Sequence, residues 1–480
     1  MRAGAHRNRA AWAAGLAFVW ACWRWATGFD GLYGQDAHEY LRYATALREW
    51  LLTGADPGFS RWPPGYPMAA ALLSLVGIPV MAAPQLVSFL SWLAAFWFGS
   101  IALDRLFPSP RGTAYWALLF SLSPFLMRIA FSSMSDMLAI ALGCAFVSLG
   151  LGWLENRRAL ELGAAFACFS GAVATRFSAP VVLGLFAAWL FFEALKARDR
   201  AAAGAAILGA IGPWALTWWA WSLETLALSN AEEWSFWNMA SRSFSTASAG
   251  EHSYVLPNLL SSFVPLIHPG FCLFGILLVA SLRRSDFQSA AARVLALNWV
   301  VFALFLAGLA LQNHRHHLAS FPIAMTLLFP AFDRAMTRLG SLVKPAARLR
   351  FVAALVVGAQ FVLLGFASRA LLAAQRQELR IAERLRLEPP VTLYSFSFSL
   401  ALRNRGVTQR VVELWDTEPK EARAGDLVLF APERLAAQWS TEPLMRNFEM
   451  LRPRLRSGPI ADFGGGWFLY RVEHGAPSTP

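Results

Sequence analysis

Apolar runs of about 20 residues, separated by short polar stretches, recur from residue 10 to residue 368, and the pattern then stops. The runs 10–27, 84–103, 113–129, 134–153, 159–176, 179–195, 201–221, 266–282, 294–311, 317–333 and 351–368 each read as one membrane-spanning helix. A further piece, "WPPGYPMAAALLSLVGIPV" at 62–80, has only a short apolar body between Pro64 and Pro79, and reads as a helix lying at the outer interface or dipping partway in. Beyond 368 come a charged helical stretch "QRQELRIAERLRLE", an extended "PVTLYSF", a strand "QRVVELW", then "GDLVLFAPERLAAQW" and a closing "GGGWFLYRVE". Short β runs alternating with helices predict a small mixed α/β domain over 369–480. The fold class that follows is an α-helical polytopic membrane protein of about 11 transmembrane helices plus an outer juxtamembrane helix, ending in that extracytoplasmic domain.

Composition excludes an ordinary soluble protein. Apolar residues make up 56% of the 480 and charged residues 15%, with a mean hydropathy of +0.43, where a soluble domain is about a quarter charged. The net charge of +12 is spread between the apolar runs and does not gather on one helix, so nucleic acid is not the partner. The basic residues act as topology signals. With eleven spans and a cytoplasmic N-terminus, Arg105, Arg111, Arg157, Arg158, Lys196, Arg198, Arg200, Arg283, Arg284, Arg334, Arg338, Lys344, Arg348 and Arg350 all fall in cytoplasmic loops. Segments 28–83, 222–265 and the C-terminal domain then lie outside; a span at 62–80 would turn the basic loops outward instead. Arg24 and three tryptophans stand where signal-peptide cleavage needs small residues, so the first helix is retained. Cys22, Cys144, Cys168 and Cys272 sit inside apolar runs without ligand spacing and read as small buried hydrophobes. Lysine occurs only at 196, 344 and 420, which with the abundant alanine points to a GC-rich bacterial genome, and hence to a bacterial cytoplasmic (inner) membrane with the last domain in the periplasm.

Chemistry enters at "GLYGQDAHEYLRYATALREWLLTG", residues 31–54, where Asp36 and Glu39 stand one helical turn apart directly after the first span. A helix over 36–52 carries Tyr40, Ala44, Leu47 and Leu51 as its apolar stripe with Asp36 at its head, and turns His38, Arg42 and Glu49 to the wet side. Alone, the two acids read equally as a capping box at a helix start. Other charges share this outer level. Asp136, in "FSSMSDMLAI", opens a span where a carboxylate near lipid is costly unless paired or hydrated. Arg128, Arg176 in "ATRFSAP", and His314 and Arg315 in "NHRHHL" lie on the side that positive-inside depletes, although single arginines at helix ends also snorkel to headgroups. Acids and bases at one face of a bundle suit an anionic, phosphorylated, lipid-borne substrate beside a general base. Outside the cytoplasm there is no nucleotide pool, so an activated group arrives on a lipid.

The order "QDAHEYLRYA", "RWPPGYP", "SSMSD", "ATRFSAP", a basic cluster before "LASFP", and a soluble domain after the last span resembles polytopic glycosyltransferases of the GT-C fold. The nearest branch is the bacterial one related to protein O-mannosyltransferases and aminoarabinose transferases. That resemblance implies a transmembrane catalytic domain over 1–368 with outer loops 28–83 and 222–265, Asp36 as catalytic base, and Asp136 as the second-loop acid that supports the site. Two departures are visible. Ala37 follows Asp36 where many members carry an adjacent Glu, so the second acid comes at Glu39; and Trp62 replaces a phosphate-binding Lys of some relatives, leaving Arg61 as the substitute.

The implied reaction is inverting transfer of a sugar from a polyprenyl-phosphate-linked donor to a hydroxyl of an envelope acceptor (glycan, lipid or protein). Asp36 takes the acceptor proton, while Arg61, Arg176, His314 and Arg315 stabilise the departing phosphate. Trp234 and Trp237, in "SNAEEWSFWNMASRSF", suit either stacking on sugar faces or interfacial anchoring. A divalent metal assists some relatives and not others. Two other readings compete: a transporter or lipid-carrier flippase without transferase activity, and an assembly protein whose outer domain recruits partners. Transporters commonly show internal repeats and midplane charges, whereas here the charges gather at one outer face.

Overall fold

In the computed structural model, residues 2–60, 62–217, 234–246, 250–253, 257–268, 270–271, 275–309, 314–342, 346–439 and 442–473 are described. Among them, four helices are long and apolar enough to cross a bilayer: Ala83–Leu106, Ser135–Asn156, Ala179–Lys196 and Ala290–Ala307. The run predicted as one span at 113–129 is instead two helices, Gly112–Leu122 and Pro124–Phe131, bent by 70°. Pro124 has no N–H to continue the first helix, and Ser123 caps the second by accepting from the Leu126 N–H. The helix within 62–80, Gly65–Leu75, has 11 residues, and at 1.5 Å each it reaches only about half the thickness of the hydrocarbon core.

The chain divides into two units. The first comprises Met1–Gly31, Tyr43–Phe244 and Ser253–Arg369. Its core lies where small residues let apolar helices close on one another: a Cβ on Gly209 would strike the Gly163 carbonyl, and Ser170 Oγ donates to the Ala210 carbonyl at 2.6 Å across the same pair, Ala159–Thr175 and Arg200–Thr217. Phe146 meets Phe166 and Phe186 edge-on, at 6.1 and 5.6 Å between centroids. Cys144 is buried and Cys168 half-buried; Cys22, expected to be buried, is exposed on Arg2–Thr27, and Cys272 lies outside the described residues. A lipid-facing helix presents such a side chain outward without cost.

The second unit comprises Leu32–Arg42, Ser245–His252 and Ala370–Pro480. Two short strands, β1 (Ser243–Thr246) and β2 (Gly250–Ser253), pair with each other. The C-terminal strands β3 (Thr392–Ser395), β4 (Arg410–Glu413), β5 (Leu427–Phe430), β6 (Ala461–Asp462) and β7 (Phe468–Arg471) form one sheet in the order β4-β3-β5-β7-β6. β3 runs parallel to β4 and β5, and β7 antiparallel to β5 and β6. All four β5 residues are buried, as a central strand covered on both faces requires, and Phe430 stacks on Phe448 at 4.0 Å. Ile381, Ala382 and Leu385 of the 41-residue helix Ala346–Arg386 pack into this core. The helix shows no break at 368, where the apolar pattern ends.

Leu32–Arg42 groups with the C-terminal residues in the second unit.

Candidate functional site

In the first unit, Asp136 occupies the first turn of Ser135–Asn156 and is 3% exposed. Its two carboxylate oxygens are held separately. Arg176 Nη1 lies 2.7 Å from Oδ1, and Arg315 Nε donates to Oδ2 at 2.6 Å. Arg176 follows the last residue of Ala159–Thr175 in an extended conformation, which carries its side chain off the helix end; Nη1 also reaches Ser135 Oγ at 3.5 Å. Both guanidiniums keep some contact with solvent, 18% and 23%, against 4% for the carboxylate. Two cations around one anion leave a net positive charge at a partly open position, a suitable arrangement for an anion.

A buried polar framework sets this cluster in place. Ser88 Oγ donates to the Met134 carbonyl and accepts from the Met134 N–H, at 3.2 and 3.3 Å, and bonds Tyr66 Oη at 2.8 Å. Tyr66 belongs to "PPGYP", and the preceding Gly65 abuts Ala174 and Thr175 so closely that a Cβ there would fall 2.6 Å from the Ala174 carbonyl oxygen. Gln85 accepts from Arg24 Nε at 2.8 Å and donates to the Phe131 carbonyl at 2.9 Å. Gly31, at φ +89°, accepts from the Ser133 N–H at 2.8 Å. Asp136 and Arg176 therefore sit at the ends of helices whose terminal residues are fixed by hydrogen bonds or close packing.

In the second unit, Asp36 is half-buried in the first turn of Gly34–Thr53. The helix begins two residues before the expected start, so Asp36 is inside it. Glu39 is held by Arg42, which donates to its two oxygens at 2.8 and 2.6 Å. Tyr40, Ala44 and Leu47 are buried as the stripe predicts, whereas Leu51 is exposed. His38 corrects the sequence reading outright. It is fully buried, with Nε2 at 3.0 Å from both Glu378 oxygens.

Trp234 is half-buried and donates to the Phe305 carbonyl at 3.0 Å, with Gly308 beneath its ring, while Trp237 is 85% exposed. Arg61 and the side chain of His314 lie outside the described residues. Among the described residues no group of three or more His, Cys, Asp or Glu side chains is placed to hold a metal ion.

No protein-family model and no curated protein matches the sequence. Solved structures do match the fold. ArnT from Cupriavidus metallidurans in the apo state aligns at 17% identity and TM-score 0.55, over 96% of this chain and 98% of that one. ArnT from the same organism bound to undecaprenyl phosphate aligns at 17% identity and TM-score 0.56, over 98% of each chain. The chain has the GT-C fold of ArnT. Its apolar helices and the near-complete coverage in both directions point to a multi-pass membrane protein.

Proposed function

We propose that this protein transfers a sugar from a polyprenyl-phosphate-linked donor to a hydroxyl of an envelope acceptor, with inversion, at the outer face of the bacterial inner membrane. The observation that carries the reading is the Asp136 carboxylate held between Arg176 and Arg315 with net positive charge, in a fold shared with a protein solved with undecaprenyl phosphate. Asp36 accepts the proton of the attacking hydroxyl. The new bond forms from that oxygen to the anomeric carbon as the bond from that carbon to the phosphate oxygen breaks, so the lipid phosphate leaves with one further negative charge. Arg176 and Arg315 take up that charge through charge-assisted hydrogen bonds, with Arg61 and His314 as further candidate donors. Asp136 thus acts by holding the two arginines, a supporting role distinct from proton transfer.

The test is Asp36→Asn in the purified full-length protein with a defined donor and acceptor. Asparagine keeps the shape but takes no proton at neutral pH, so transfer should fall by about a hundredfold or more, while donor binding and thermal stability stay near parental. Its loss of first-turn charge costs only about 0.3–1 kcal/mol. Near-normal turnover would remove Asp36 as the base.

A further inference from the structure

His38 stands two residues after Asp36 and is fully buried, and its surroundings define its state. Asn404 Nδ2 lies 3.1 Å from the His38 carbonyl oxygen and 3.2 Å from Nδ1. A carbonyl oxygen only accepts, so the Asn404 atom there is the amide nitrogen, and the Nδ1 beside it supplies a lone pair. The ring proton is then on Nε2, donated to Glu378 at 3.0 Å. Glu378 also accepts from Arg405 Nε at 2.8 Å, and the Glu378 and Arg405 side chains are only 10% and 8% exposed. One imidazole, one carboxylate and one guanidinium side chain are thus buried together beside a half-buried amide, all within the second unit.

Burying such groups has a desolvation penalty of several kcal/mol per ion, and an apolar contact would hold the helix at least as firmly. What a hydrogen-bonded network supplies in addition is a single orientation. Residues two apart on an α-helix are turned by about 200° around its axis. Fixing His38 in the second unit therefore sets the rotation of the first turn and presents Asp36 on the opposite side. We infer that His38 is a positioning residue for Asp36, and that Glu378, Asn404 and Arg405 make the C-terminal domain part of the catalytic apparatus without touching either substrate. This rests on Asp36 being the base.

The test uses full-length protein in lipid nanodiscs with a defined polyprenyl-phosphate sugar and acceptor. His38→Ala should lower kcat by about ten- to a hundredfold, the scale of a 1 Å misplacement, with donor KM within about twofold. His38→Gln, whose amide can still donate to Glu378, should recover part of the loss. Glu378→Ala should match His38→Ala, and the double variant should be no worse than either. Hydrogen exchange of residues 35–42 should accelerate in His38→Ala, a readout independent of activity. A parental kcat per folded molecule in His38→Ala with a lowered melting temperature, or unchanged exchange at 35–42, would overturn the inference even if Asp36→Asn is inactive. An active Asp36→Asn would instead overturn the base assignment.

Discussion

Asp136→Asn removes the carboxylate that Arg176 and Arg315 hold from either side, and the structure says which property should fail. The triad sums to one positive charge; asparagine raises this to two, with the guanidiniums still close together and only 18% and 23% exposed. Removing one partner of a buried pair costs about 3–5 kcal/mol because the remaining charge is left uncompensated. Here one change removes the carboxylate that two guanidiniums share, but their partial exposure screens them, so a loss at the lower end of that range is expected. Arg315→Ala goes the other way. It takes the triad to zero net charge and leaves Asp136 paired with Arg176, so the fold should survive it.

Thermal unfolding of detergent-purified protein, followed by the amount that stays monodisperse after heating, separates the two. Asp136→Asn should melt about 3 °C below the parent, since unfolding entropy scales with chain length, and Arg315→Ala close to it. Combining Asp136→Asn with Arg315→Gln should recover stability, because the net charge returns to one and the repulsion between guanidiniums disappears; such non-additivity is expected of residues in contact. An Asp136→Asn variant as stable as the parent would refute this account, since the carboxylate would then not be what holds the arginines.

Arg315→Ala should weaken use of the lipid donor by about 1.5–3 kcal/mol, the range for hydrogen bonds to charged groups; unchanged donor kinetics would return Arg315 to a snorkelling role. Gly31→Ala should destabilise by about 1–3 kcal/mol, because φ is +89° and the added Cβ would fall 2.8 Å from both Gln85 Cβ and Ser133 Oγ; a melting temperature equal to the parent's would refute the close approach. For Asp286, burial raises the pKa, but hydrogen bonds from Arg334 at 2.5 and 2.8 Å, the Arg283 N–H at 2.8 Å and the nearby positive charge outweigh it and hold the carboxyl below its usual range. Its stabilisation is therefore present above the ordinary Asp value of about 3.9 and is lost as pH falls through the lower folded value. Asp286→Asn should flatten that acid limb of the melting curve.

Much of the site was legible because membrane composition makes certain polar residues conspicuous. Asp136 and Arg176 stood out as charges at the ends of apolar runs, and the cost of a lone carboxylate there already required a partner. The structure supplies two. The terminal sheet was legible too: "PVTLYSF", "QRVVELW", "GDLVLF" and "GGGWFLYRVE" contain β3, β4, β5 and β7. Gln85 and Ser88 carry a usable signal of their own, as two polar side chains three apart at the start of the apolar run 84–103, buried at 1% and 0%. The break at Ser123–Pro124 was equally visible as a proline within an apolar run.

His38 was hidden for a different reason. Periodicity assigns a helix one buried face and one wet face, and on that assumption the stripe through Tyr40, Ala44 and Leu47 leaves His38 to water. Yet Ala37, His38 and Leu41 are buried as well as that stripe, so the first turns of Gly34–Thr53 are enclosed on more than one side. The partner that makes this affordable for an imidazole, Glu378, is 340 residues away, inside a charged stretch where one more glutamate carries no local signal. Polar residues on a helix with two buried faces look solvated in the sequence because both burials are tertiary. In a membrane chain, a titratable residue beside a candidate base and off its apolar stripe is therefore the place where sequence periodicity is least able to distinguish solvent from a buried partner.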